Sequence, residues 1–219
     1  MGKEPLNIGV LISGRGSNLQ AIIDGIERGE IPARISIVIS NEPGAYGLER
    51  ARNHGIPTRV IDHRDYPTRK EFETELMEAL KERGVALVVL AGFMRVLTEH
   101  FLSAFPQQVV NIHPALLPSF PGVGVQEKAA EYGVRFSGCT VHFVNEGVDA
   151  GPIIAQAVVP VYPTDTGDVL ADRILRMEHQ VFPRVIRWIA EGRVRVEGRR
   201  VFVDGAKKNE DVSFIEPVA

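Results

Sequence analysis

The first half of the chain alternates short apolar runs with longer amphipathic segments. The apolar runs predict strands at residues 6–12, 35–40, 58–61, 85–90 and 109–112. Apolar positions at helical spacing predict helices at residues 18–28, 46–54, 68–83 and 98–105. Gly29, Gly55 and Gly84 follow the first three helices, where glycine commonly ends a helix. Strands that are apolar throughout are buried on both faces, so this half predicts a parallel sheet covered by helices.

The second half has a different pattern. It predicts a helix at 126–132, strands at 138–144 and 153–161 around a polar loop, a long helix at 167–191 and a hairpin of residues 194–196 and 200–203. We expect Pro183 to kink the long helix. The whole pattern predicts an α/β, Rossmann-like fold, in which a mostly parallel twisted sheet is flanked by helices and gains an antiparallel extension in the C-terminal half. We expect residues 1–205 to form a single domain and the polar residues 206–219 to form a mobile tail.

Composition and charge narrow the class of protein. The 219 residues are 44% hydrophobic and 24% charged, as in ordinary globular proteins, and the formal net charge is −3. This charge predicts no general basic surface for nucleic acid or an anionic membrane, so an anionic substrate needs local donors. The single cysteine, Cys139, excludes an intrachain disulfide and a multi-cysteine metal site. The first apolar stretch is too short for a signal peptide or a membrane span, and we expect a cytoplasmic protein, either monomer or homodimer.

Asn111 and His113 are the foremost candidates for chemistry. They close the fifth predicted strand in the run Val109-Val110-Asn111-Ile112-His113-Pro114. Residues two apart on a strand share a face, and in open α/β sheets the carboxyl ends of strands face the ligand. A neutral amide donor beside a protonatable imidazole suits a developing oxyanion. Taken alone, the pair is better explained by an asparagine that caps a turn and a half-buried, hydrogen-bonded histidine.

The turn after the first predicted strand is rich in glycine. It reads Ser13-Gly14-Arg15-Gly16-Ser17-Asn18-Leu19 and precedes a helix. Glycines let the backbone approach a ligand, and the N–H groups that begin a helix favour a phosphate. Leu19 occupies the place of the third glycine of a dinucleotide-binding motif, so a phosphate monoester fits better than a dinucleotide. The alternative is a tight turn with Ser17 or Asn18 as the helix cap, and Arg15 either contacts phosphate or faces solvent.

Asp149 and His142 form a second group of candidates. Asp149 lies in Val148-Asp149-Ala150-Gly151-Pro152, where small residues allow a ligand to approach closely. A carboxylate near a histidine stabilises the imidazolium, which would suit His113. The alternative for Asp149 is an Asx turn.

The segment 91–97 carries apolar residues and one arginine, so it would suit either a flat aromatic ligand or the core.

Two other kinds of active site find little support. The six histidines have no HExxH spacing, which argues against a metal site. The chain also has no G-x-S-x-G motif, which argues against a serine hydrolase.

Five segments together carry a specific resemblance. In chain order they are LISGRGSNLQAII, SNEPGAYGLERAR, VVLAGFMRVL, NIHPALLPSFPG and TVHFVNEGVDAGPIIAQ. They closely resemble the phosphoribosylglycinamide formyltransferase family, within the 10-formyltetrahydrofolate-dependent transferases. The resemblance extends from about residue 6 to residue 190. It implies transfer of a formyl group from 10-formyltetrahydrofolate, a co-substrate, to the amino group of glycinamide ribonucleotide in purine biosynthesis, without a metal.

The resemblance also implies roles for individual residues. Its catalytic positions match Asn111, His113 and Asp149. His142 stays a supporting candidate from the sequence pattern alone. Its glycinamide ribonucleotide positions match Gly16, Ser17, Asn18 and Glu178. Its folate positions match Arg69, Met94, Arg95, Val96, Leu97 and Asn111. Two departures from the family pattern leave the catalytic trio intact: Ala115 replaces the usual serine, and the Gly122–Gln126 segment has an extra glycine.

Three other functions compete with this interpretation. Methionyl-tRNA formyltransferases would share the trio, but they need a further RNA-binding domain and a basic face. Formyltetrahydrofolate hydrolases usually carry an N-terminal regulatory domain, for which we expect no room before the first strand. A Rossmann-like module that binds a nucleotide without catalysis is the third.

Overall fold

The computed structural model describes residues 4–205. Its strands are β1 (Leu6–Ile12), β2 (Ala33–Ser40), β3 (Thr58–Val60), β4 (Leu87–Leu90), β5 (Val109–His113), β6 (Phe136–Phe143), β7 (Ile153–Pro160), β8 (Val194–Glu197) and β9 (Arg200–Val203). Its α-helices are α1 (Ser17–Glu27), α2 (Tyr46–Asn53), α3 (Arg69–Glu82), α4 (Glu99–Leu102), α5 (Val125–Tyr132) and α6 (Gly167–Ala190). A short 3-10 helix spans His63–Asp65. The tail predicted at 206–219 lies outside the described residues.

Seven strands form one sheet in the order β3-β2-β1-β4-β5-β6-β7. The pairs among β1 to β5 are parallel, whereas β6 and β7 pair antiparallel with their neighbours. The strands β8 and β9 form a separate antiparallel hairpin. The predicted α/β fold with an antiparallel C-terminal extension is therefore confirmed.

The sheet is covered on both faces, as its apolar strands require. Along β1, Ile8, Val10 and Ile12 belong to one apolar cluster, which includes residues of α1, α2, α5 and α6. Leu11 points the other way and joins a second cluster with residues of α3 and α4. Alternation of side chains along a strand explains the two clusters.

Several predicted boundaries are wrong. The strand predicted from residue 85 begins at Leu87, because the Val85 N–H instead bonds the Leu80 carbonyl and closes α3. The helix predicted at 98–105 is limited to α4, and turns follow it. The helix α6 continues through Pro183, so the kink there stays a prediction. No helix within residues 4–205 is long and apolar enough to cross a membrane.

The strand order reverses direction between β1 and β4. The helices that follow these two adjacent strands cover opposite faces of the sheet, so their connecting loops diverge and leave a crevice. Ligands of open α/β sheets bind in such a crevice, at the carboxyl ends of the strands. The glycine-rich turn, the segment 91–97 and the Asn111–His113 pair all follow or close strands at this end of the sheet.

Candidate active site

A cavity of about 330 Å³ lies at the carboxyl ends of β4 and β5. Asn111 and His113 both line it, as expected for side chains two apart on one strand. On the neighbouring strand β6, His142 pairs with Asn111 in the sheet register and lines the same cavity. Asp149 joins them from the β6–β7 loop, so the structure brings together all four residues predicted for catalysis or its support.

The His113 ring is buried between two hydrogen-bond acceptors. Its Nδ1 lies 3.3 Å from Asp149 Oδ2, and its Nε2 lies 2.8 Å from the Phe120 carbonyl oxygen. A neutral imidazole can donate at only one nitrogen, whereas the imidazolium donates at both. Each ring nitrogen of His113 therefore faces an oxygen that can accept a hydrogen bond.

Asp149 is held in place by its backbone and by three neighbours. Its φ of 51° lies in the left-handed region, which aspartate tolerates better than most residues. The Gly122 N–H donates to Oδ2 at 2.8 Å, and His142 Nε2 lies 3.7 Å from Oδ1. Burial raises the pKa of Asp149, but the contacts with His142 and Gly122 and the charge of His113 outweigh burial and hold the pKa below its ordinary value. The carboxylate is thus ionised next to His113.

His142 supports two of the catalytic candidates at once. The ring is 2% exposed, and its Nδ1 donates to the Phe143 carbonyl at 2.9 Å. This bond turns Nε2 toward Asn111 Nδ2, at 3.3 Å, and toward Asp149 Oδ1. His142 therefore lies between Asn111 and Asp149 and limits the movement of both side chains.

The predicted folate positions after β4 form one wall of the cavity. They are Met94, Arg95, Val96 and Leu97. Met94 is 69% exposed and Val96 is 52% exposed, although both side chains are apolar. Exposed apolar side chains at a cavity suit a flat organic ligand. Arg69 is the first residue of α3 and does not line this cavity.

The glycine-rich turn forms the start of α1. Gly16 precedes the helix in a left-handed conformation, with φ 69°, and no side chain caps the helix. The alternative in which Ser17 or Asn18 is the cap is therefore wrong. Uncapped N–H groups at a helix start are free to bind an anion.

Asn18 and Glu178 meet beside this turn, away from the lining of the cavity. Asn18 Nδ2 donates to Glu178 Oε2 at 2.7 Å, although the two residues lie on α1 and α6. Burial raises the pKa of the Glu178 carboxyl, and the hydrogen bond from Asn18 only partly offsets it. Asn18 Oδ1 is buried and finds no partner among the described residues. The structure thus unites the residues predicted to bind the ribonucleotide.

Ser13 connects the glycine-rich turn with the cavity wall at residues 94–97. This connection was not predicted from the sequence. Its hydroxyl donates to Asn41 Oδ1 at 2.5 Å and accepts from the Met94 N–H at 2.8 Å. Its own N–H donates to the Gly92 carbonyl at 2.9 Å. Ser13 therefore links the turn after β1 to the cavity wall after β4, and its position just after an apolar strand was the available sequence signal.

The two departures from the family pattern have simple structural contexts. Ala115 is fully buried, and its carbonyl accepts from the Thr140 hydroxyl at 2.7 Å. Gly122 and Gly124 have φ of 88° and 66°, a region that favours glycine, and Gly124 is the residue that caps the start of α5. The extra glycine thus shapes the loop that holds Asp149. Within residues 4–205, no group of three His, Cys, Asp or Glu side chains is arranged so that it could hold a metal ion.

The chain has an α/β fold, and its candidate catalytic side chains line a cavity close to the reversal of strand order. The chain belongs to the formyl transferase family, whose sequence profile matches residues 6–186. A crystal structure of glycinamide ribonucleotide transformylase 1 from Symbiobacterium toebii is 52% identical, with a TM-score of 0.90, and the match covers 92% of this chain and 95% of that one.

Curated relatives agree with this family. The phosphoribosylglycinamide formyltransferase of Haemophilus influenzae is 43% identical over 90% of this chain and 93% of its own length. The trifunctional purine biosynthetic protein adenosine-3 of Drosophila pseudoobscura pseudoobscura is 50% identical over 86% of this chain. The chain spans only 14% of the length of that trifunctional relative.

Proposed function

We propose that this protein transfers the formyl group of 10-formyltetrahydrofolate to the amino group of glycinamide ribonucleotide, in the cytoplasm and as a step of purine biosynthesis. The observation that carries the proposal is the meeting of Asn111, His113 and Asp149 in one cavity. The names of the similar bacterial proteins support the same choice of acceptor.

Each substrate has a place in this proposal. The ribonucleotide phosphate binds the N–H groups of Gly16, Ser17 and Asn18 at the start of α1, and Glu178 contacts the rest of the ribonucleotide. The folate lies along residues 94–97, with its formyl group at Asn111 and its outer end toward Arg69. Ser13 connects the two binding regions, so the amine and the formyl carbon meet at the catalytic trio.

The chemistry is a direct transfer. The amine nitrogen bonds to the formyl carbon, and the carbonyl oxygen becomes an oxyanion. The Asn111 amide and the positive charge of His113 stabilise it, and a preorganised donor at such a site contributes about 3 kcal/mol. The bond from the formyl carbon to N10 of the folate then breaks, while a proton passes from the amine to N10 with the help of Asp149. Since no covalent enzyme intermediate forms, positioning and electrostatics account for the protein's contribution.

The first experiment measures deformylated folate by absorbance, with and without glycinamide ribonucleotide. We expect release only when the amine acceptor is present. Release of formate without the acceptor would favour a hydrolase, and no release under either condition would favour a binding module. Either outcome contradicts the proposed function.

A second experiment tests the catalytic role of Asp149. Asp149→Asn keeps an oxygen that can accept from the Gly122 N–H but removes the charge beside His113. We expect kcat to fall by about 10² to 10³, whereas the KM for glycinamide ribonucleotide changes by less than about threefold. Glu146→Gln is the matched control, because it removes an exposed carboxylate from the same loop. Equal turnover in the two variants would remove Asp149 from the mechanism.

A further inference from the structure

Gly47 and Arg50 of α2 contact three successive residues of the glycine-rich turn. The Gly47 N–H donates to the Gly14 carbonyl at 3.0 Å, and Arg50 Nε donates to the Arg15 carbonyl at 2.9 Å. At Gly16, a methyl group in place of hydrogen would lie 2.6 Å from Gly47 Cα. The backbone of residues 14–16 therefore rests directly on α2.

These contacts determine which way the peptide groups point. In a trans peptide, the carbonyl and the N–H that share a plane point in opposite directions. The carbonyls of Gly14 and Arg15 point toward donors on α2, so the N–H groups of Arg15 and Gly16 point away from α2. An anion-binding loop needs this arrangement, because a carbonyl turned toward the anion would repel it.

We propose that Arg50 and Gly47 are positioning residues that hold the turn at 14–16 in its phosphate-binding conformation. This inference rests on the proposed function, in which the turn binds the phosphate of glycinamide ribonucleotide. Arg50 acts through the backbone of Arg15 and does not contact the phosphate.

The Arg50 side chain is held in place by contacts with Tyr46 and Gln20. Its guanidinium lies 4.9 Å from the centre of the Tyr46 ring, and NH1 donates to Gln20 Oε1 at 3.3 Å. The residue is half-buried, which limits its alternative conformations. These contacts align Nε with the Arg15 carbonyl before a ligand arrives.

Gly47 contributes by its lack of a side chain. A Cβ at this position would lie 2.5 Å from Ile12 Cδ1 and 3.1 Å from Gly16 Cα. Close approach of two backbone segments explains the glycine here, because its φ does not lie in the left-handed region. An alanine would push the turn away from α2 without changing any charge.

The test compares Arg50→Met with Arg52→Met. Arg52 is an exposed arginine on the same helix and makes no side-chain hydrogen bond among the described residues, so it is the matched control. We expect Arg50→Met to raise the KM for glycinamide ribonucleotide about tenfold, the usual scale for one hydrogen bond in a charged site. The KM for the formyl donor, kcat at saturating acceptor and the melting temperature should match those of Arg52→Met.

Three further measurements separate positioning from charge and from general damage. Glycinamide riboside, which lacks the phosphate, should show the same KM with Arg50→Met as with the unchanged protein. Arg50→Lys keeps the charge but lacks Nε–H and should retain the defect, and Gly47→Ala should give the same selective rise in KM. Full recovery in Arg50→Lys, or an equal defect with the riboside, would overturn the inference.

Calorimetry with ribose 5-phosphate tests the same inference without catalysis. The unchanged protein should bind this compound, and Arg50→Met should bind it about tenfold more weakly. Suppose that ribose 5-phosphate binds the unchanged protein more tightly than it binds Arg50→Met, but that the unchanged protein transfers no formyl group to glycinamide ribonucleotide. The proposed function then fails and the positioning role stands. If Arg50→Met binds it as well as the unchanged protein, the positioning role fails and the proposed function stands. No binding by the unchanged protein would overturn the inference.

Discussion

Ser13→Ala tests whether one hydroxyl holds the two substrate regions together. The hydroxyl of Ser13 bridges Asn41 at the end of β2 and the backbone of Met94 after β4. Alanine removes both hydrogen bonds and causes no steric clash, so we expect the backbone of β1 to keep its position. The variant therefore isolates the bridge.

The expected loss of stability follows from the burial of the two partners. The Met94 N–H lies at the surface, where water replaces the lost acceptor at little cost. Asn41 is 2% exposed, so its Oδ1 stays without the Ser13 donor, and such a buried group costs about 1–3 kcal/mol. For a chain of this size, 1 kcal/mol corresponds to about 2–4 °C in melting temperature. We therefore expect the melting temperature to fall by about 4–8 °C, for a central loss of about 2 kcal/mol.

Thermal unfolding and steady-state kinetics check the prediction together. Because the wall at residues 94–97 loses an anchor, the KM for the formyl donor should rise about threefold to tenfold. Ser103→Ala removes an exposed hydroxyl at the end of α4 that donates to the Glu99 carbonyl, and it should change stability by less than about 0.5 kcal/mol. A melting temperature and a KM equal to those of Ser103→Ala would refute the bridge.

Two other substitutions test the energetics of the fold and the site. Burial raises the pKa of Glu178, so the folded state loses stability as pH rises through that pKa. Between pH 4 and pH 7, Glu178→Gln should therefore become more stable relative to the unchanged protein. Its KM for glycinamide ribonucleotide should rise. Thermal unfolding across this pH range checks the sign, and a stability difference that does not change with pH contradicts it. Gly138→Ala would place a methyl group 1.9 Å from the Ala157 carbonyl oxygen and should cost about 3 kcal/mol, measured by urea unfolding. Gly44→Ala is its control, since nothing lies within 4 Å of that position.

The apolar pattern predicts most of the sheet because buried parallel strands differ clearly from amphipathic helices. The first strand is predicted with the bounds that the structure has, Leu6–Ile12. The helix predicted at 98–105 is wrong for a physical reason. Phe101 and Phe105 have helical spacing, but their rings pack 5.1 Å apart around turns that follow α4. Spacing alone does not distinguish a continued helix from a turn that buries the same two side chains.

From residue spacing alone, the contacts of the site were predictable only where strand geometry determines them. Asn111 and His113 share a face because they are two residues apart on β5, and both line the cavity. The approach of Asp149 to His113 depends on the antiparallel register of β6 and on a positive φ at Asp149. The Phe120 carbonyl had no sequence signal, since every residue carries a carbonyl.

That carbonyl bears on both interpretations of His113 that the sequence left open. With Phe120 as its only acceptor, the ring would be satisfied as a neutral tautomer with its proton on Nε2. Asp149 supplies a second acceptor, which carries a full negative charge because its pKa is held low. The ring is then satisfied only when Nδ1 is protonated as well. His113 is thus a buried histidine with an acceptor at each ring nitrogen, and the proposed mechanism uses this arrangement at the oxyanion.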